Sequence, residues 1–469
     1  MSFVFYDTET TGTNTSFDQI LQFGAIKTDY DLNEIDRFEI RCRLLPYVVP
    51  APGAMRVTGV TVEQLTDPAL PSHYEMVREI KAKLAEWSPA IFIGHNSLGF
   101  DEHLLRQAFY KTLHPPYLTN TNGNCRNDSL RMIQAVARFN PNALKIPIND
   151  KGRPVFKLDQ LAPANGFDHS DAHDAMADVE ATIHLCRLMT ERVPELWSGF
   201  VRFSQKAAVV DFTLGEDVFL LTDFFYTKPY SWMVTGIGPN PDNGSEILVF
   251  DLSEDPDELA AMPVDELAAR LAQRPKPVRG LRANAGPVVL PYDDVPNDMR
   301  ELLPSQDDLR QRASRIKNDP ALVERLISAF METRQPREPS AHVEEQIYDG
   351  FAGNDDQEIM DRFHDLDWSD RMPILGQISD ERLRSLGQRL VYVESPSVIA
   401  DSARQEYDIA IARRLMADDG TVPWLTFPKA IEEAGDLLAI ADSSDESALL
   451  SDLREYLTQR ADIANSILA

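Results

Sequence analysis

Cysteine and long apolar runs are scarce in this sequence. The three cysteines, Cys42, Cys125 and Cys186, are odd in number and have no CxxC spacing, which argues against a disulfide framework and predicts reduced thiols in a cytoplasmic protein. No apolar run is long enough to span a bilayer, and Met1-Ser2 leads directly into the first predicted strand. We therefore expect no signal peptide, no membrane anchor and no membrane partner.

Positive charge is also scarce. Lys and Arg number 46 against 75 Asp and Glu, which gives a formal net charge of −29 and disfavours long-range attraction of a nucleic acid. The deficit is uneven, because residues 103–158 carry an excess of basic side chains and residues 267–292 contain no acidic one. Either basic window alone fits ordinary solvated surface, but the two together with a carboxylate cluster favour a track for a polyanion.

The length of 469 residues exceeds what one hydrophobic core normally serves, and the segment patterns divide the chain into three parts. Residues 1–192 alternate strands and helices, as an α/β domain does, with one strand expected at 38–45. Residues 193–340 contain short strand-like runs, the first at 209–213, and helical inserts. Residues 341–469 have mostly helical patterns.

The segment Phe3-Val4-Phe5-Tyr6 predicts a short buried strand that delivers two carboxylates, Asp7 and Glu9, to a polar turn. Side chains two apart on a strand point the same way and lie about 7 Å apart. The ends of strands are where α/β proteins often place their chemistry. Two such carboxylates would raise each other's pKa, and a divalent cation would relieve that repulsion.

Two further carboxylates and a histidine complete a candidate metal site. Asp101 opens a helix, and Asp178 lies on a helix predicted from 174 to 189 with Asp174 as its N-cap. His173 precedes Asp178 by five positions, which places it on the loop or the first turn. Oxygen ligands suit Mg²⁺ or Mn²⁺, and two such ions about 4 Å apart would clamp a phosphodiester while His173 accepts the proton of the attacking water. The predicted reaction is metal-dependent phosphodiester hydrolysis.

Three motifs carry a resemblance to the DEDDh family of 3′→5′ exonucleases. They are Asp7-Thr8-Glu9-Thr10-Thr11-Gly12, then Gly94-His95-Asn96 followed by Phe100-Asp101, then His173-Asp174-Ala175-Met176-Ala177-Asp178. The resemblance implies that Asp7, Glu9, Asp101 and Asp178 bind two Mg²⁺ ions, for which Mn²⁺ substitutes, and that His173 is the general base. By the same spacing His173 is favoured over His169, whereas His95 is expected to pack or to support the site.

Residues 58–61, 164–166, 169–179 and 347–351 extend the resemblance to bacterial exonuclease I. That family implies a ribonuclease H-like exonuclease domain at 1–192, an SH3-like β-rich domain at 193–340 and an all-α C-terminal domain at 341–469. It implies an exodeoxyribonuclease that degrades single-stranded DNA from the 3′ end to 5′-mononucleotides, acting in DNA repair and recombination. A monomer that binds the acidic C-terminal tail of single-stranded-DNA-binding protein is expected.

The resemblance also suggests which side chains grip the strand. Near the cleft they are Glu9, Thr10, Thr11, Arg106, Tyr117, Arg126 and Lys157; on the β-rich domain they are Lys206, Lys228, Trp232, Arg279 and Arg282. Thr11 stands where the family has an aromatic residue. Lys157 stands where the family has arginine, and lysine keeps the positive charge but lacks the bidentate fork of arginine. A core position is an equal alternative for Trp232. Gly12 has no Cβ to block a terminal nucleotide.

Two other functions remain open on these residues. An exoribonuclease that trims RNA ends would use the same site, since the main local difference is the 2′-hydroxyl. A non-catalytic single-strand-binding scaffold is the second, although the intact five-residue set speaks against it.

Overall fold

The computed structural model describes residues 2–169, 173–301, 303–334, 338–418 and 420–469. Part of the third motif, residues 170–172, lies outside the described residues. None of the candidate site residues named above does. Among the helices described, none has the length and apolar character needed to cross a membrane.

The first sheet has five strands in the order β3-β2-β1-β4-β5. They are β1 (Ser2–Thr10), β2 (Ile20–Thr28), β3 (Glu34–Arg41), β4 (Ala90–Gly94) and β5 (Cys125–Asp128). β1 pairs antiparallel with β2 and parallel with β4. The strand predicted at 38–45 starts earlier, because Glu34 already pairs with Thr28 across the β2–β3 ladder. The central strand of this sheet is therefore the one that carries Asp7 and Glu9.

The described part of residues 2–215 contains nine α-helices. They are α1 (Pro52–Thr58), α2 (Val62–Thr66), α3 (His73–Trp87), α4 (Asp101–Lys111), α5 (Ser129–Phe139), α6 (Leu158–Ala164), α7 (Ala175–Arg192), α8 (Pro194–Phe203) and α9 (Lys206–Gly215). Side chains alternate along β1, so Phe3 and Phe5 join a core with α7 on one face, while Val4 and Tyr6 join a core with α3 and α4 on the other. This alternation decides which helix each polar residue at the end of β1 meets.

The predicted strand at 209–213 is wrong, because these residues lie within α9. Val209, Phe212 and Thr213 are buried there, which is the i, i+3, i+4 spacing of a helix. A short run of apolar β-branched residues does not by itself distinguish a strand from a buried helix.

The second sheet is antiparallel throughout, in the order β10-β6-β7-β8-β9. Its strands are β6 (Phe219–Phe225), β7 (Lys228–Asn240), β8 (Asn243–Asp251), β9 (Val278–Arg282) and β10 (Val288–Pro291). The helices that accompany it are α10 (Pro256–Ala261), α11 (Val264–Ala272), α12 (Asn297–Arg300), α13 (Gln306–Lys317) and α14 (Pro320–Glu332). One core joins the sheet to α11, α13 and α14.

The rest of the described chain is helical, as predicted. Its helices are α15 (Asn354–Asp365), α16 (Trp368–Leu375), α17 (Glu381–Glu394), α18 (Asp401–Leu415), α19 (Phe427–Leu438) and α20 (Ser444–Leu468). Two apolar cores join this region to the first: Tyr110 packs with Phe363, and Met55 packs with Phe427. The helical region therefore packs against α4 and α1 of the first region.

Candidate active site

Asp7, Glu9 and Asp178 meet on one face of the first sheet. Asp7 and Glu9 lie on β1 on the same side as Phe5, and Asp178 lies in the first turn of α7, which packs against that face. Gly24 pairs with Asp7 from the neighbouring strand β2. A Cβ at this glycine would come within 2.9 Å of the backbone of Ala175 and Met176, so glycine lets the start of α7 approach the sheet.

Three ligand atoms form a compact cluster. One ligand atom each from Glu9, His173 and Asp178 lie within 4.8 Å of one another. His173 has a φ of +69° and precedes the N-cap of α7, so it reaches the cluster from the loop, in agreement with the prediction. Carboxylate oxygens and an imidazole nitrogen are a donor set that fits a divalent cation.

Asp101 reaches the site from the opposite face. It is the first residue of α4, and its Oδ1 accepts hydrogen bonds from the Thr8 backbone N–H (3.1 Å) and from Thr8 Oγ1 (2.5 Å). Thr8 points to the side of β1 that faces α4, between the two strand carboxylates. These two hydrogen bonds hold the Asp101 carboxylate against β1, where its charge acts on Asp7 and Glu9.

The four carboxylates repel one another. Burial, and then the charges of Asp101, Asp178 and Glu9, raise the pKa of Asp7 well above its usual range. Burial and the nearby carboxylates raise the pKa of Glu9 to about 9, against the weaker opposing effect of Arg41. The pKa of Asp101 is raised to about 6, chiefly by burial. The cluster thus holds more negative charge than its neighbours neutralise, which is the condition that a bound cation relieves.

The start of α7 is held by its N-cap, Asp174. One carboxylate oxygen accepts hydrogen bonds from the backbone N–H groups of Met176 and Ala177, at 3.1 and 3.3 Å. The other accepts from Gln22 Nε2 at 2.9 Å and from Arg41 Nη2 at 2.7 Å. These two contacts fasten α7 to β2 and β3 and thereby set the position of Asp178. The N-cap was predictable from sequence, whereas no motif marks Gln22 or Arg41.

The two other histidines near the site differ in their contacts. His169 is buried, and its Nε2 lies 2.8 Å from Asp178 Oδ1. His95 lies 3.0 Å from Ser129 Oγ through Nδ1 and 2.8 Å from the Phe156 carbonyl oxygen through Nε2. His95 therefore supports the loop after β4, as predicted. His169 lies against the Asp178 carboxylate, while His173 belongs to the cluster with Glu9 and Asp178.

Arg106 and Arg126, two predicted phosphate contacts, are paired with a buried carboxylate that the sequence analysis missed. Glu102 Oε1 accepts from Arg106 Nε and from Arg126 Nη1, both at 2.8 Å, and from Thr119 Oγ1 at 2.7 Å. Arg126 is buried, and its Nη2 donates to the Asn284 carbonyl oxygen. Arg126 therefore has a structural role as the partner of Glu102, and its predicted contact with phosphate stays a prediction.

Arg106 and Tyr117 lie together nearer the surface. The Arg106 guanidinium lies 5.0 Å from the centre of the Tyr117 ring, and that ring lies 5.7 Å from the ring of Phe351. Phe351 is largely exposed. Arg106, Tyr117 and Phe351 thus form a group of cationic and aromatic side chains, and contact of Arg106 and Tyr117 with the strand stays a prediction.

Thr11 does not face the cleft. Its side chain is fully buried, and its hydroxyl donates to Asp18 Oδ1 and accepts from the Gln19 N–H, both at 3.0 Å. The hydroxyl closes the turn after β1, and the predicted contact of Thr11 with substrate stays a prediction. Thr10 and Glu9 do line the cleft beside this turn.

Four of the five predicted contacts of the β-rich region line one groove of about 1760 Å³. Lys228, Trp232, Arg279 and Arg282 line it, and the Arg279 guanidinium lies 4.0 Å above the Trp232 ring. Trp232 is partly buried: it packs against a core of the β-rich region and also lines the groove, so it contributes to both. Lys157 and Lys206 are exposed elsewhere, Lys157 just before α6 and Lys206 at the start of α9.

Both basic windows supply this groove. Arg131 and Arg153 come from residues 103–158, and Arg274 and Lys276 from residues 267–292. The exposed aromatic side chains of Phe225, Tyr226 and Tyr230 line it as well and were not among the predicted contacts. A groove lined by both cationic and aromatic side chains fits a single nucleic-acid strand.

Three protein families match successive parts of the chain. The family described as Exonuclease matches residues 4–186, the Exonuclease I SH3-like domain matches residues 216–332, and the Exonuclease I C-terminal domain matches residues 341–460. These matches confirm the predicted order of an exonuclease domain, an SH3-like domain and a helical C-terminal domain.

Similar proteins cover most of the chain. Exodeoxyribonuclease I of Haemophilus influenzae is 30% identical over 382 residues, which are 76% of this chain and 79% of that protein. The structure of an exonuclease I from Methylocaldum szegediense is 25% identical with a TM-score of 0.82, over 98% of this chain and 99% of that one. Escherichia coli exonuclease I, solved in complex with a 5cy-dT13 oligonucleotide, is 25% identical with a TM-score of 0.78 and the same coverage.

Proposed function

The chain belongs to the exonuclease I family, whose members degrade single-stranded DNA, and from that premise we propose that it removes 5′-mononucleotides one at a time from the 3′ end. The observation that carries the proposal is the convergence of Asp7, Glu9, Asp101 and Asp178 from three separate segments into one site with raised pKa values. A non-catalytic scaffold would gain nothing from this uncompensated charge, because the charge lowers the stability of the fold.

The activity depends on a divalent metal ion, and we propose two Mg²⁺ ions, with Mn²⁺ as a substitute. Asp7, Glu9, Asp101 and Asp178 would hold them, since these side chains supply hard oxygen ligands. When bound, the metal polarises the scissile phosphodiester and lowers the pKa of the attacking water. The donor set fits, because one ligand atom each from Glu9, His173 and Asp178 already lie within 4.8 Å of one another.

The chain's own groups position the reaction. An imidazole nitrogen of His173 accepts the proton that the attacking water loses, a role we assign to His173 rather than His169 because His169 is already directed at Asp178. Thr8 holds Asp101, and Asp174 with Arg41 holds the turn of α7 that carries Asp178. Each support reduces the motion of one carboxylate and so preserves the geometry of the site.

The turn after β1 is tight and lies beside the carboxylate cluster. A Cβ at Gly12 would lie 2.5 Å from Asp18 Oδ2, so glycine allows this turn to fold tightly next to Glu9 and Thr10. We propose that the terminal nucleotide lies against this turn while the preceding strand follows the groove through Lys228, Trp232, Arg279 and Arg282, with Arg106 and Tyr117 between the two.

Several finer predictions stay part of this proposal. The division at 192/193 and 340/341, a monomeric state and a cytoplasmic location are among them. So are a role in DNA repair and recombination, strand contacts from Lys157 and Lys206, and binding of the acidic tail of single-stranded-DNA-binding protein.

A 5′-labelled single strand tests the proposal. In MgCl₂ the protein should shorten the strand by one nucleotide at a time and release deoxynucleoside 5′-monophosphates. EDTA or Asp7→Ala should stop the reaction, whereas Glu63→Gln, which removes an exposed carboxylate on α2, should not. Activity that survives chelation would reject the mechanism. An all-RNA strand and a strand with one 2′-hydroxyl, run in parallel, test the alternative of RNA trimming.

A further inference from the structure

The loop between β4 and α4, residues 95–100, leads directly to Asp101 and contains no helix or strand. Two features of this loop give it little support of its own. Asn96 has a φ of +63°, in the left-handed region that is uncommon for residues other than glycine. Phe100, the N-cap residue of α4, makes no side-chain hydrogen bond to the helix. The start of α4 is therefore held by contacts from another segment.

Asp128 supplies these contacts. It is the last residue of β5 and the N-cap of α5, and only 2% of its surface is exposed. It pairs with Gly94 where the parallel strands β4 and β5 end, so it lies beside the first residue of the loop. Its Oδ1 accepts a hydrogen bond from the Asn96 N–H and its Oδ2 accepts one from the Leu98 N–H, both at 3.0 Å. Both oxygens of one buried carboxylate thus hold the loop.

We propose that Asp128 is a positioning residue of the metal site. By binding two backbone N–H groups of residues 95–100, it fixes where α4 begins and hence where the Asp101 carboxylate lies. The inference rests on the proposed function and extends it to a residue outside the three sequence motifs. Asp128 itself binds no ion and touches no substrate.

The loop passes this constraint on to Asp101 through Ser97, which lies between the two residues that Asp128 holds. The Ser97 carbonyl oxygen accepts hydrogen bonds from the N–H groups of Phe100 at 3.2 Å and Glu102 at 2.9 Å. Phe100 and Glu102 are the two neighbours of Asp101 in the chain. A shift of the loop therefore moves the backbone on both sides of the proposed metal ligand.

Asp101 is held in two independent ways. Thr8 binds its carboxylate directly, through the backbone N–H and the hydroxyl, whereas Asp128 holds the backbone that precedes it. Loss of Asp128 would leave the Thr8 contacts in place but let the start of α4 move. Residues that hold metal ligands in position typically change metal affinity by about 10–100-fold when they are replaced.

A carboxylate is better suited to this task than a neutral side chain. The Asp128 Oδ1 also accepts from the Leu130 N–H at 2.9 Å, so three N–H groups share the two oxygens. An asparagine has one acceptor oxygen and would turn its NH₂ group towards one of these donors. The carboxylate has a cost, because burial raises the pKa of Asp128 and its charge contributes to the raised pKa of Asp101.

The C-terminal region contains a matched control. Asp356 lies on α15 with 3% of its surface exposed, and its carboxylate accepts from the N–H groups of Ser379 at 2.7 Å and Asp380 at 3.0 Å. These two residues directly precede α17. Asp356 therefore holds the start of a helix as Asp128 does, but α17 carries none of the four carboxylates of the proposed metal site.

Binding of Mn²⁺ alone, without DNA, tests the proposal on the full-length protein. Electron paramagnetic resonance measures the free ion, and binding that persists in Asp7→Ala is subtracted as ions held elsewhere. We expect Asp128→Asn to raise the dissociation constant for Mn²⁺ roughly tenfold. At saturating Mn²⁺ its KM for a single-stranded 30-mer should equal that of the wild type, because the groove is unchanged. Asp356→Asn should lower the melting temperature to a similar extent and leave Mn²⁺ binding unchanged.

Amide hydrogen exchange tests the same contacts in the metal-free wild type, where no variant has to fold. The N–H groups of Asn96 and Leu98 should exchange as slowly as those of β4, because they donate to a buried carboxylate. If Asp128→Asn does not fold, this measurement decides. Exchange at the rate of an unprotected loop overturns the inference.

The remaining outcomes are distinct. A folded Asp128→Asn protein that binds Mn²⁺ as tightly as the wild type overturns the inference. Equal weakening in Asp356→Asn overturns it as well, because the effect would then reflect a general loss of stability. A wild-type protein that binds no more Mn²⁺ than Asp7→Ala contradicts the proposed function itself.

Discussion

Asp101 and Glu102 are neighbours at the start of α4, and both are almost fully buried, with 4% and 1% of their surface exposed. Their pKa values nevertheless move in opposite directions. Burial raises that of Asp101 to about 6, whereas Arg126 and Arg106 overcome the effect of burial and lower that of Glu102. The two residues differ in the charges that act on them, because Glu102 is paired with two arginines, whereas the charge named for Asp101 is that of another carboxylate, Asp128.

This contrast shows that burial of a carboxylate does not by itself mark a functional site. Glu102 links β1, α4 and β5 through Tyr6, Arg106 and Arg126 and so serves the fold. Asp101 belongs to a cluster whose negative charge the protein leaves uncompensated. Under the proposed function a metal ion would supply the counter-charge that Asp101 lacks, which distinguishes Asp101 from the structural ion pair one residue away.

The largest effect is expected at the uncompensated cluster. Asp7→Asn should lower the rate of strand hydrolysis by roughly 10³-fold or more, because it removes a metal ligand from the reacting centre. Its metal-free thermal stability should stay at or above that of the wild type, since one of four repelling charges is gone. Initial rates and a thermal melt check both halves. A variant that is inactive because it is unfolded would break the proposed contrast.

The opposite result is expected one residue along α4. Glu102→Gln should lower the free energy of unfolding by about 3–5 kcal/mol, because it leaves the buried Arg126 and the partly buried Arg106 without their counter-charge. Asp101→Asn is the matched comparison and should not destabilise the metal-free protein to this extent. Urea titrations of both variants measure the difference, and equal losses of stability would remove the distinction between the two carboxylates.

The pH dependence of stability sharpens the same comparison. The pKa of Glu9 is about 9 in the folded protein against an ordinary value of 4.5, so the folded state binds a proton that the unfolded state has lost between these values. Metal-free stability contributed by this group therefore falls as pH rises from about 5 to about 9. Added Mg²⁺ should recover about 1–3 kcal/mol, and more at the alkaline end, because the metal needs the ionised carboxylate.

Thermal melts with and without MgCl₂ across this pH range measure the effect. Glu9→Gln should flatten both the pH slope and the response to Mg²⁺. A wild-type protein whose melting temperature does not respond to Mg²⁺ at any pH would argue that the cluster holds no cation.

The smallest effect is expected in the groove, where the charges are exposed and positive. Trp232→Ala should weaken the binding of a single-stranded 30-mer by about 1–2 kcal/mol, because one stacking surface is lost. The increase in melting temperature that Mg²⁺ produces should not change. Fluorescence anisotropy in the presence of EDTA measures the affinity without digestion. Unchanged affinity would place the strand elsewhere.

Much of the site was predictable because its signals are local. Alternation along β1 predicts that Asp7 and Glu9 share a face, and Asp174 has the side chain and the position of an N-cap. The two basic windows were visible as departures from the overall charge, and both supply the groove. These features depend on residues close together in the chain, where spacing translates directly into geometry.

The rest depends on contacts between distant segments. The sequence does not distinguish an arginine that binds phosphate from one such as Arg126 that is committed to Glu102, since both are cations in a basic window. Thr11 resembles a residue facing the cleft, yet its hydroxyl is used by Asp18 and Gln19. Glu344 and Arg414, 70 positions apart, come together only through the packing of the C-terminal helices.

The central claim is that Asp7, Glu9, Asp101 and Asp178 together hold the metal on which hydrolysis depends. Anomalous diffraction from crystals soaked in MnCl₂ tests it most directly. The account predicts Mn²⁺ peaks at the end of β1, in contact with oxygens of Glu9 and Asp178 and within ligand distance of Asp7 or Asp101. Manganese bound only at other carboxylates, with these four left without an ion, would contradict it.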